Sequence, residues 1–177
     1  MPMSPREIFK IRLKSEYTKL QSIAFNGDYY DITPALGEVI PYVQKYWVNY
    51  KIPTFVDFGK RMQLQTKIEI AISGSFPMQC PSARVIEGEI PFHVNIWMND
   101  GRIDQGAFWN PGRWIYEYIV YIANILAFNM EYIDVRSPCN KGAIQFFDEN
   151  RDRFPTISAE LLEPKEIQKR LKIRIIP

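Results

Sequence analysis

The sequence has 177 residues, 46% of them hydrophobic and 14% aromatic, and carries a formal net charge of +2. This length and composition predict one globular domain with a packed core and exclude an intrinsically disordered chain. The small net charge argues against nucleic-acid binding, and no apolar run in the sequence is long enough to span a membrane.

The cysteines and the amino terminus indicate the cellular setting. Cys80 and Cys139 lie in different sequence surroundings and do not form the pattern of a disulfide framework. The first residues lack the apolar segment and the cleavage site of a signal peptide. We therefore expect a cytoplasmic protein.

The first predicted element is a helix that begins at Ser4. Ser4 can cap the helix, Pro5 suits its first position, and Glu7 lies three residues after the cap. Apolar residues then recur at near-helical spacing, namely Ile8, Phe9, Leu13, Tyr17 and Leu20. Basic residues occupy the other positions, which indicates either a solvated face or a docking face for a partner. We expect residues 26–28 to end the helix and the chain to be irregular up to residue 41.

A sheet is predicted next. Residues 43–52 are rich in Val, Tyr and Trp, and residues 62–73 alternate apolar and polar side chains, so both segments are predicted strands joined by a loop. The alternation favours an antiparallel sheet with one covered face. A further short strand is predicted at residues 84–86, with a continuation at residues 90–92.

Helices are predicted in the second half of the chain. The segment after Pro111 has a wide apolar stripe that is typical of a buried helix. A second helix is predicted to open at Ser137 and Pro138, and a last short helix to begin at residues 163–166. Residues 171–176 are a predicted tail strand. A helix, an antiparallel meander and further helices make an α+β layout.

The most specific pattern lies near the middle of the chain. His93-Val94-Asn95 is followed by Gly101-Arg102-Ile103, then by Asp104, and then by Trp109-Asn110-Pro111. This order resembles the active-site segment of ubiquitin-conjugating enzymes (E2), in which His-Pro-Asn precedes Gly-x-Ile/Val-Cys and a Trp-x-Pro that opens a long helix. In this resemblance Asp104 occupies the position of the reactive cysteine, and Val94 replaces the usual proline.

Two further motifs extend the resemblance. Phe76-Pro77-Met78-Gln79-Cys80-Pro81 is similar to the Tyr-Pro-x-x-Pro-Pro turn of these enzymes, and Ser137-Pro138-Cys139-Asn140 is similar to the start of a later helix. The resemblance implies a UBC-like fold with an N-terminal helix, an antiparallel meander sheet and C-terminal helices packed on one face. It covers residues 4–154, so residues 155–177 are expected to form a C-terminal extension of a single domain at 1–177.

The short gap between Gly106 and Trp109 makes the resemblance specific to one group of E2-like proteins. It is similar to that of prokaryotic E2-like proteins, whose pattern is Gly-x-Ile-Cys-x-Gly-x-x-Trp-x-Pro, and Gly106 matches the second glycine. Such proteins resemble parts of bacterial ubiquitin-like conjugation systems, some of which are linked to antiphage defence. The resemblance therefore implies a bacterial setting.

Asp104 decides whether the usual chemistry is expected. The cysteine of an E2 carries a ubiquitin-like protein as a thioester. A carboxylate is a poor nucleophile toward an acyl adenylate or a thioester, and the resulting anhydride would hydrolyse rapidly. Its negative charge would also repel the developing oxyanion. The resemblance thus implies a pseudoenzyme, in which Asn95 and His93 are structural residues rather than supports of the oxyanion.

Three alternatives stay open at this point. Cys139 could be a relocated nucleophile, because helix starts lower the pKa of a thiol. Asp104 could be an engineered replacement of a native cysteine. The chain could instead be a structural subunit that uses the fold as a scaffold for oligomers.

The resemblance implies protein partners rather than small cofactors. The expected partners are a ubiquitin-like protein and an E1-like, E2-like or E3-like component of the pathway. The surfaces that meet such components in the family correspond to Arg6, Lys10 and Lys14 on the first helix, Pro77 and Met78 in the turn, and Asn110 and Pro111 in the loop. One histidine and two distant cysteines predict no metal site, and the lack of a Gly-x-Gly-x-x-Gly or Walker loop predicts no nucleotide cofactor.

Overall fold

The structure, a computed structural model, describes residues 3–166. In this range the α-helices are α1 (Pro5–Gln21), α2 (Ile115–Leu126), α3 (Lys141–Glu149) and α4 (Ala159–Leu162). The strands are β1 (Ile23–Ala24), β2 (Tyr30–Pro34), β3 (Lys45–Tyr50), β4 (Thr54–Val56), β5 (Arg61–Gln63), β6 (Thr66–Ala71), β7 (Ser82–Glu87) and β8 (Lys165–Glu166). Short 3-10 helices cover Asp57–Gly59, Met130–Tyr132 and Arg151–Arg153.

The predicted antiparallel sheet is confirmed. Its strands run in the order β2-β3-β6-β7, and each neighbouring pair is antiparallel. Along β6 the side chains of Thr66, Ile68 and Ile70 are buried, whereas the intervening Lys67 and Glu69 are half-buried. Because side chains alternate between the two faces of a strand, one face of the sheet is covered.

Helix α2 lies against this covered face, as the buried helix predicted after residue 111. Ile115, Ile119 and Ile122 are fully buried, and burial of such a side chain contributes about 1.5–3 kcal/mol. The hydroxyl of Tyr50 in β3 donates to the Ile119 carbonyl at 3.1 Å. The core is therefore the layer between the sheet and α2.

Helix α1 begins as predicted and packs beside the start of α2. The Glu7 amide donates to the Ser4 hydroxyl at 3.3 Å, and the Ser4 amide donates to the Glu7 carboxylate at 2.7 Å. Farther along, the buried Glu16 carboxylate accepts from the Ile115 amide at 2.8 Å and pairs with Arg12 at 2.6 Å. Burial raises the pKa of Glu16, while the Ile115 amide and Arg12 lower it.

Two predictions for the first part of the chain are wrong. Helix α1 ends at Gln21, before residues 26–28, and the segment expected to be irregular contains β2. Both β1 and β2 are short and pair with strands farther along the chain, β8 and β3 respectively. Local sequence patterns do not show such pairing, because strand formation depends on tertiary neighbours.

The region between β3 and β6 also differs from the prediction. It contains a hairpin of β4 and β5, so the strand predicted at 62–73 is divided into β5 and β6. Asp57, Phe58 and Gly59 turn the chain there with φ values of 47°, 50° and 84°. Such left-handed backbone is rare for residues other than glycine, so the apolar pattern does not predict it. Residues 90–92 do not continue the third predicted strand, which is β7.

The helix predicted to open at Ser137 begins later. Helix α3 starts at Lys141, because the Asn140 side chain caps it by accepting from the Ala143 amide at 3.3 Å. Ser137 and Pro138 belong to the preceding loop. The correction changes the environment expected for the intervening Cys139, since this residue precedes the cap.

The C-terminal extension packs on the rest of the fold as far as the structure describes it. The prediction of a helix that begins at residues 163–166 is wrong. Helix α4 lies before these residues, and Lys165 and Glu166 form β8, which pairs antiparallel with β1. Leu162 is fully buried, and its carbonyl accepts from the Tyr30 hydroxyl at 2.9 Å. The tail strand predicted at residues 171–176 lies outside the described residues. Within residues 3–166 no helix is long and apolar enough to cross a membrane.

Candidate functional site

The loop at residues 93–104 adds an edge to the sheet beyond β7. The Ile103 amide donates to the Ala83 carbonyl of β7 at 3.0 Å. The Val85 amide donates in turn to the Gly101 carbonyl, also at 3.0 Å. Gly101 has a φ of +70°, and a Cβ at this position would lie 3.1 Å from the Val85 Cβ. Glycine is therefore required where the loop approaches the strand.

His93 is buried and ties this loop to α2. Its Nε2 lies 2.8 Å from the Ile125 carbonyl, and its Nδ1 accepts from the Asn95 amide at 3.0 Å. These two partners require the tautomer that carries its proton on Nε2. Burial lowers the pKa of His93 to about 3. The imidazole is thus neutral at physiological pH.

Asn95 is also buried, and its backbone positions Asp104. The Asp104 amide donates to the Asn95 carbonyl at 2.8 Å. Next to it, the Cys139 amide donates to the Val94 carbonyl at 2.9 Å, which anchors the segment before α3 to the same loop. The side-chain Oδ1 of Asn95 and the Nδ2 of Asn140 are buried and have no hydrogen-bond partner among the described residues. The site therefore contains one unused acceptor and one unused donor.

Both oxygens of the Asp104 carboxylate accept hydrogen bonds. Oδ1 accepts from the Gly106 amide at 3.0 Å and closes a tight local turn. Oδ2 accepts from the Cys139 thiol, with 3.5 Å between the two atoms. The structure thus brings into contact the residue at the motif's cysteine position and the cysteine that the sequence offered as an alternative nucleophile.

The expectation of a lowered pKa at Cys139 is wrong. Burial, and next the negative charge of Asp104, raise the pKa of this thiol to about 12. Because Asn140 occupies the cap of α3, the Cys139 thiol donates to a carboxylate instead of benefiting from the helix amides. Burial also raises the pKa of Cys80 to about 12. Both thiols are therefore protonated at physiological pH.

A cleft of about 750 Å³ opens beside this loop. Residues 106–108, helix α2 and residues 131–136 form its walls. The Tyr121 hydroxyl of α2 donates to the Gln105 carbonyl at 3.0 Å and holds the loop against the helix. The sequence gives no sign of the cleft, because its walls come from separate segments and two of them carry no recognisable motif.

Charged side chains of both signs line the cleft beside its aromatic rings, namely Glu117, Glu131, Asp134, Glu163, Arg113 and Arg136. Burial, followed by Glu163 and Glu131, raises the pKa of Tyr132. Burial, followed by Asp104, raises the pKa of Tyr121 to about 12. Despite these carboxylates, the described part of the chain contains no group of three or more His, Cys, Asp or Glu side chains that could hold a metal ion.

Two of the predicted partner-binding segments are joined in the structure. The Trp109 Nε1 donates to the Pro77 carbonyl at 2.8 Å, so the turn and the loop at Asn110 and Pro111 form one surface. Met78 in this turn is 76% exposed. The surface thus presents an exposed apolar side chain next to the Asn110 loop.

Lys10 and Arg12 lie on different sides of α1. The Lys10 Nζ is 5.7 Å from the centre of the Tyr42 ring, in the connection between β2 and β3. The Arg12 guanidinium is 5.4 Å from the centre of the Phe76 ring and 4.8 Å from that of Trp114. Arg12, which the sequence did not single out, is therefore the α1 residue that reaches the Pro77 turn. The other predicted basic residues, which are exposed and share the side of Lys10, are Arg6 and Lys14.

Comparison with solved structures identifies the fold. The chain is similar to a Plasmodium yoelii protein assigned as a ubiquitin conjugating enzyme, with a TM-score of 0.57 and 17% identity over 92% of this chain and 93% of that chain. It is similar to the E2 domain of a Toxoplasma gondii ubiquitin conjugating enzyme, with a TM-score of 0.54 and 17% identity over 86% of this chain and 92% of that chain. A protein described as a novel ubiquitin-conjugating enzyme has a TM-score of 0.58 and 14% identity over 86% of this chain and 90% of that chain. These similarities confirm the predicted UBC-like fold. No model of a protein family matches the sequence, and no curated protein matches it.

Proposed function

We propose that this chain is a non-catalytic, single-domain E2-like protein of the cytoplasm that binds a ubiquitin-like protein and acts as an adaptor in a prokaryotic conjugation pathway. The observation that carries the proposal is the contact between Asp104 and Cys139, at the position where the motif has a reactive cysteine. The prokaryotic setting, and with it a role in antiphage defence, rests on the resemblance of residues 101–111 alone.

Neither side chain at this position is suited to carry an acyl group. A carboxylate that attacked an acyl adenylate would form a mixed anhydride, which water hydrolyses rapidly, and both Asp104 oxygens already accept hydrogen bonds. The Cys139 thiol, with its pKa of about 12, supplies almost no thiolate at physiological pH. The pair supports a binding role over a transfer role.

The cleft beside the loop is the proposed binding site for the extended C-terminal tail of the ubiquitin-like protein. In an E2 the last residue of this tail lies at the cysteine position. In this chain the rest of the tail would therefore extend away from Asp104. The cleft begins at Gly106, and its volume of about 750 Å³ accommodates several extended residues. Tyr121 and Tyr132 offer aromatic walls, and the cleft lining contains both carboxylates and arginines that could pair with polar groups of the tail.

The surface made by the Pro77 turn and the Asn110 loop is proposed to bind an E1-like, E2-like or E3-like component. Met78 supplies an exposed apolar contact there. Arg12 stiffens the edge of this surface from α1 through its contact with Phe76. None of Pro77, Met78, Asn110 and Pro111 lines the cleft, so one molecule is proposed to hold the ubiquitin-like protein and a second component at the same time.

A thioester-charging assay with the cognate adenylating enzyme and ubiquitin-like protein tests the proposal. We expect no dithiothreitol-sensitive adduct on the unmodified chain, together with retained binding of the ubiquitin-like protein in a pull-down. An Asp104→Cys/Cys139→Ser double variant is expected to form the adduct, because it restores the nucleophile at the motif position. Cys139→Ser is included because a cysteine at 104 would adjoin Cys139 and could form a disulfide with it.

The remaining outcomes separate the alternatives. An adduct on the unmodified chain that is lost in Cys139→Ser would contradict the proposal and establish a relocated nucleophile. An adduct on the double variant without any binding by the unmodified chain would favour Asp104 as a replacement of a native cysteine. If no variant forms the adduct and none binds the ubiquitin-like protein, the result would contradict the proposal and favour a structural scaffold subunit.

A further inference from the structure

The connection between β2 and β3 carries a group of exposed aliphatic side chains. Leu36 is 86% exposed, Val39 is 68% exposed and Ile40 is 59% exposed. Because they lie close together in the chain, these three side chains form one patch, which we call the aliphatic tip. Removing apolar surface from water is favourable, so a patch of this kind indicates a site of contact with a partner or with an apolar phase.

The backbone of this connection is held by its own hydrogen bonds. The Glu38 amide donates to the Ala35 carbonyl at 3.2 Å, and the Tyr42 amide donates to the Val39 carbonyl at 2.7 Å. The Glu38 carboxylate accepts from the Gln44 amide at 2.6 Å, which closes the connection from the side of β3. Contact through the aliphatic tip therefore requires little further ordering of the backbone.

Basic side chains of α1 stand beside the same connection. The Lys10 Nζ lies 5.7 Å from the centre of the Tyr42 ring, which brings the two elements together. Arg6 and Lys14 lie one helical turn before and after Lys10, so the three exposed side chains share one side of α1. None of the three forms an ion pair with a carboxylate in the described part of the chain. Positive charge without an internal counter-charge thus borders the aliphatic tip.

The residue types of this surface favour a lipid bilayer over a protein partner. Hot spots of protein interfaces are enriched in Trp, Tyr and Arg, whereas Leu and Val are under-represented. Interfacial membrane binding instead combines aliphatic side chains that enter the acyl boundary with Lys and Arg side chains that contact anionic headgroups. Tyr42 joins the two sets, is 39% exposed, and is a residue type enriched at that boundary.

We propose that this chain docks on an anionic lipid bilayer through the aliphatic tip and the basic side of α1. The aliphatic tip enters the boundary between headgroups and acyl chains, and the basic side chains contact the negatively charged headgroups. None of the residues of this surface lines the cleft or belongs to the Pro77 turn. Lipid docking and the adaptor function can therefore be tested separately.

Co-sedimentation of the full chain with lipid vesicles tests the docking. Vesicles of equal parts phosphatidylcholine and phosphatidylglycerol are expected to bind the unmodified chain at least about tenfold more tightly than vesicles of phosphatidylcholine alone. The variant Leu36→Ser/Val39→Ser is expected to partition onto the mixed vesicles at least about tenfold more weakly, because it removes most of the inserted apolar surface. The matched control, Met62→Ser/Leu64→Ser, removes two exposed apolar side chains near β5 and is expected to stay within about twofold.

The contribution of positive charge is measured on the same mixed vesicles. The basic side of α1 is removed in the variant Arg6→Gln/Lys10→Gln/Lys14→Gln. We expect its partition coefficient to fall at least about tenfold, because each basic side chain close to an anionic surface strengthens binding roughly fivefold. The same charge is removed from exposed positions elsewhere in the control Lys60→Gln/Arg84→Gln/Lys141→Gln. Its partition coefficient is expected to stay within about threefold, since salt screens distant charges.

Several results would overturn the proposal. The unmodified chain could fail to sediment with the mixed vesicles, or a control variant could lose as much binding as its test variant. Equal binding by Leu36→Ser/Val39→Ser and the unmodified chain would indicate adsorption by charge alone. A concentration-dependent dimer in sedimentation velocity that Leu36→Ser/Val39→Ser abolishes would assign the aliphatic tip to a second copy. If the double variant loses its circular dichroism, Leu36→Ser alone takes its place, with an expected loss of at least about threefold.

Discussion

Two neighbouring regions, on either side of Gly106, use their polar groups in opposite ways. In the loop before it, the Asp104 carboxylate accepts hydrogen bonds from the Gly106 amide and from the Cys139 thiol. The carboxylate and the thiol therefore satisfy each other's hydrogen bonding. In the cleft after it, Tyr121 and Tyr132 line an open volume of about 750 Å³. The polar groups of a loop can therefore satisfy one another while a cleft beside that loop stays open.

The closed region depends most strongly on His93, so His93→Gln is expected to have the largest effect. A glutamine can donate to the Ile125 carbonyl but cannot also accept from the Asn95 amide in the same geometry. We expect a loss of about 2–4 kcal/mol in the free energy of unfolding at pH 7. Urea denaturation followed by circular dichroism measures it, and a loss below 1 kcal/mol, roughly one ordinary hydrogen bond, would contradict the tie to α2.

The pH dependence of the free energy of unfolding, measured on the unmodified chain and on His93→Gln, tests whether His93 is neutral in the folded state. The unfolded chain binds a proton on its histidine near pH 6.5, whereas the folded chain does so only near pH 3. Protons therefore favour unfolding across this window, and the contribution of His93 is present above pH 6.5 and lost as the pH falls. The stability difference between the unmodified chain and His93→Gln should shrink by about 1.4 kcal/mol per pH unit. Because the chain has one histidine, a constant difference from pH 7 to pH 4 would contradict the buried, neutral state.

Gly101→Ala is expected to have the next largest effect on the closed region. Its positive φ and the 3.1 Å approach to Val85 leave no room for a Cβ without a shift of β7 or of the loop. We expect a loss of about 1–3 kcal/mol in the free energy of unfolding. Gly74→Ala is the matched control, since nothing lies within 4 Å of its Cβ position. Equal losses in the two variants would show that the close contact does not constrain the loop.

On the side of the cleft, Tyr121→Phe should have a smaller effect on stability. It removes the hydrogen bond to the Gln105 carbonyl and keeps the ring, which stacks 4.0 Å from the Phe108 ring. We expect a loss of about 1 kcal/mol and faster amide exchange in residues 105–108, with His93 unaffected in its nuclear magnetic resonance signal. A shifted His93 signal would show that the loop and the cleft are coupled and would contradict their independence.

The fold and the position of the candidate site follow from local signals in the sequence. The cap at Ser4 and the apolar stripe after Pro111 are local signals, and the spacing from His93 to Trp109 is a motif. The strands β1 and β2, the turn at Phe58 and the cleft depend on contacts between distant segments, which no local pattern contains. The pKa of Cys139 is likewise not predictable from local sequence. It depends on the distant Asp104, and the cap of α3 is the next residue, Asn140, rather than a residue before Cys139.

The smallest expected effect belongs to the pair that defines the closed region. Asp104→Asn keeps an oxygen that can accept from the Gly106 amide but removes the negative charge beside the Cys139 thiol. The pKa of Cys139 should fall from about 12, while burial keeps it above its ordinary value of 9. Because the thiolate is the reactive form, we expect alkylation of Cys139 by iodoacetamide at pH 8 to become about threefold to tenfold faster. Cys80 is the internal control, since burial rather than Asp104 raises its pKa. An equal acceleration at both cysteines would indicate opening of the fold, and an unchanged rate at Cys139 would show that the carboxylate does not hold the thiol in its protonated form.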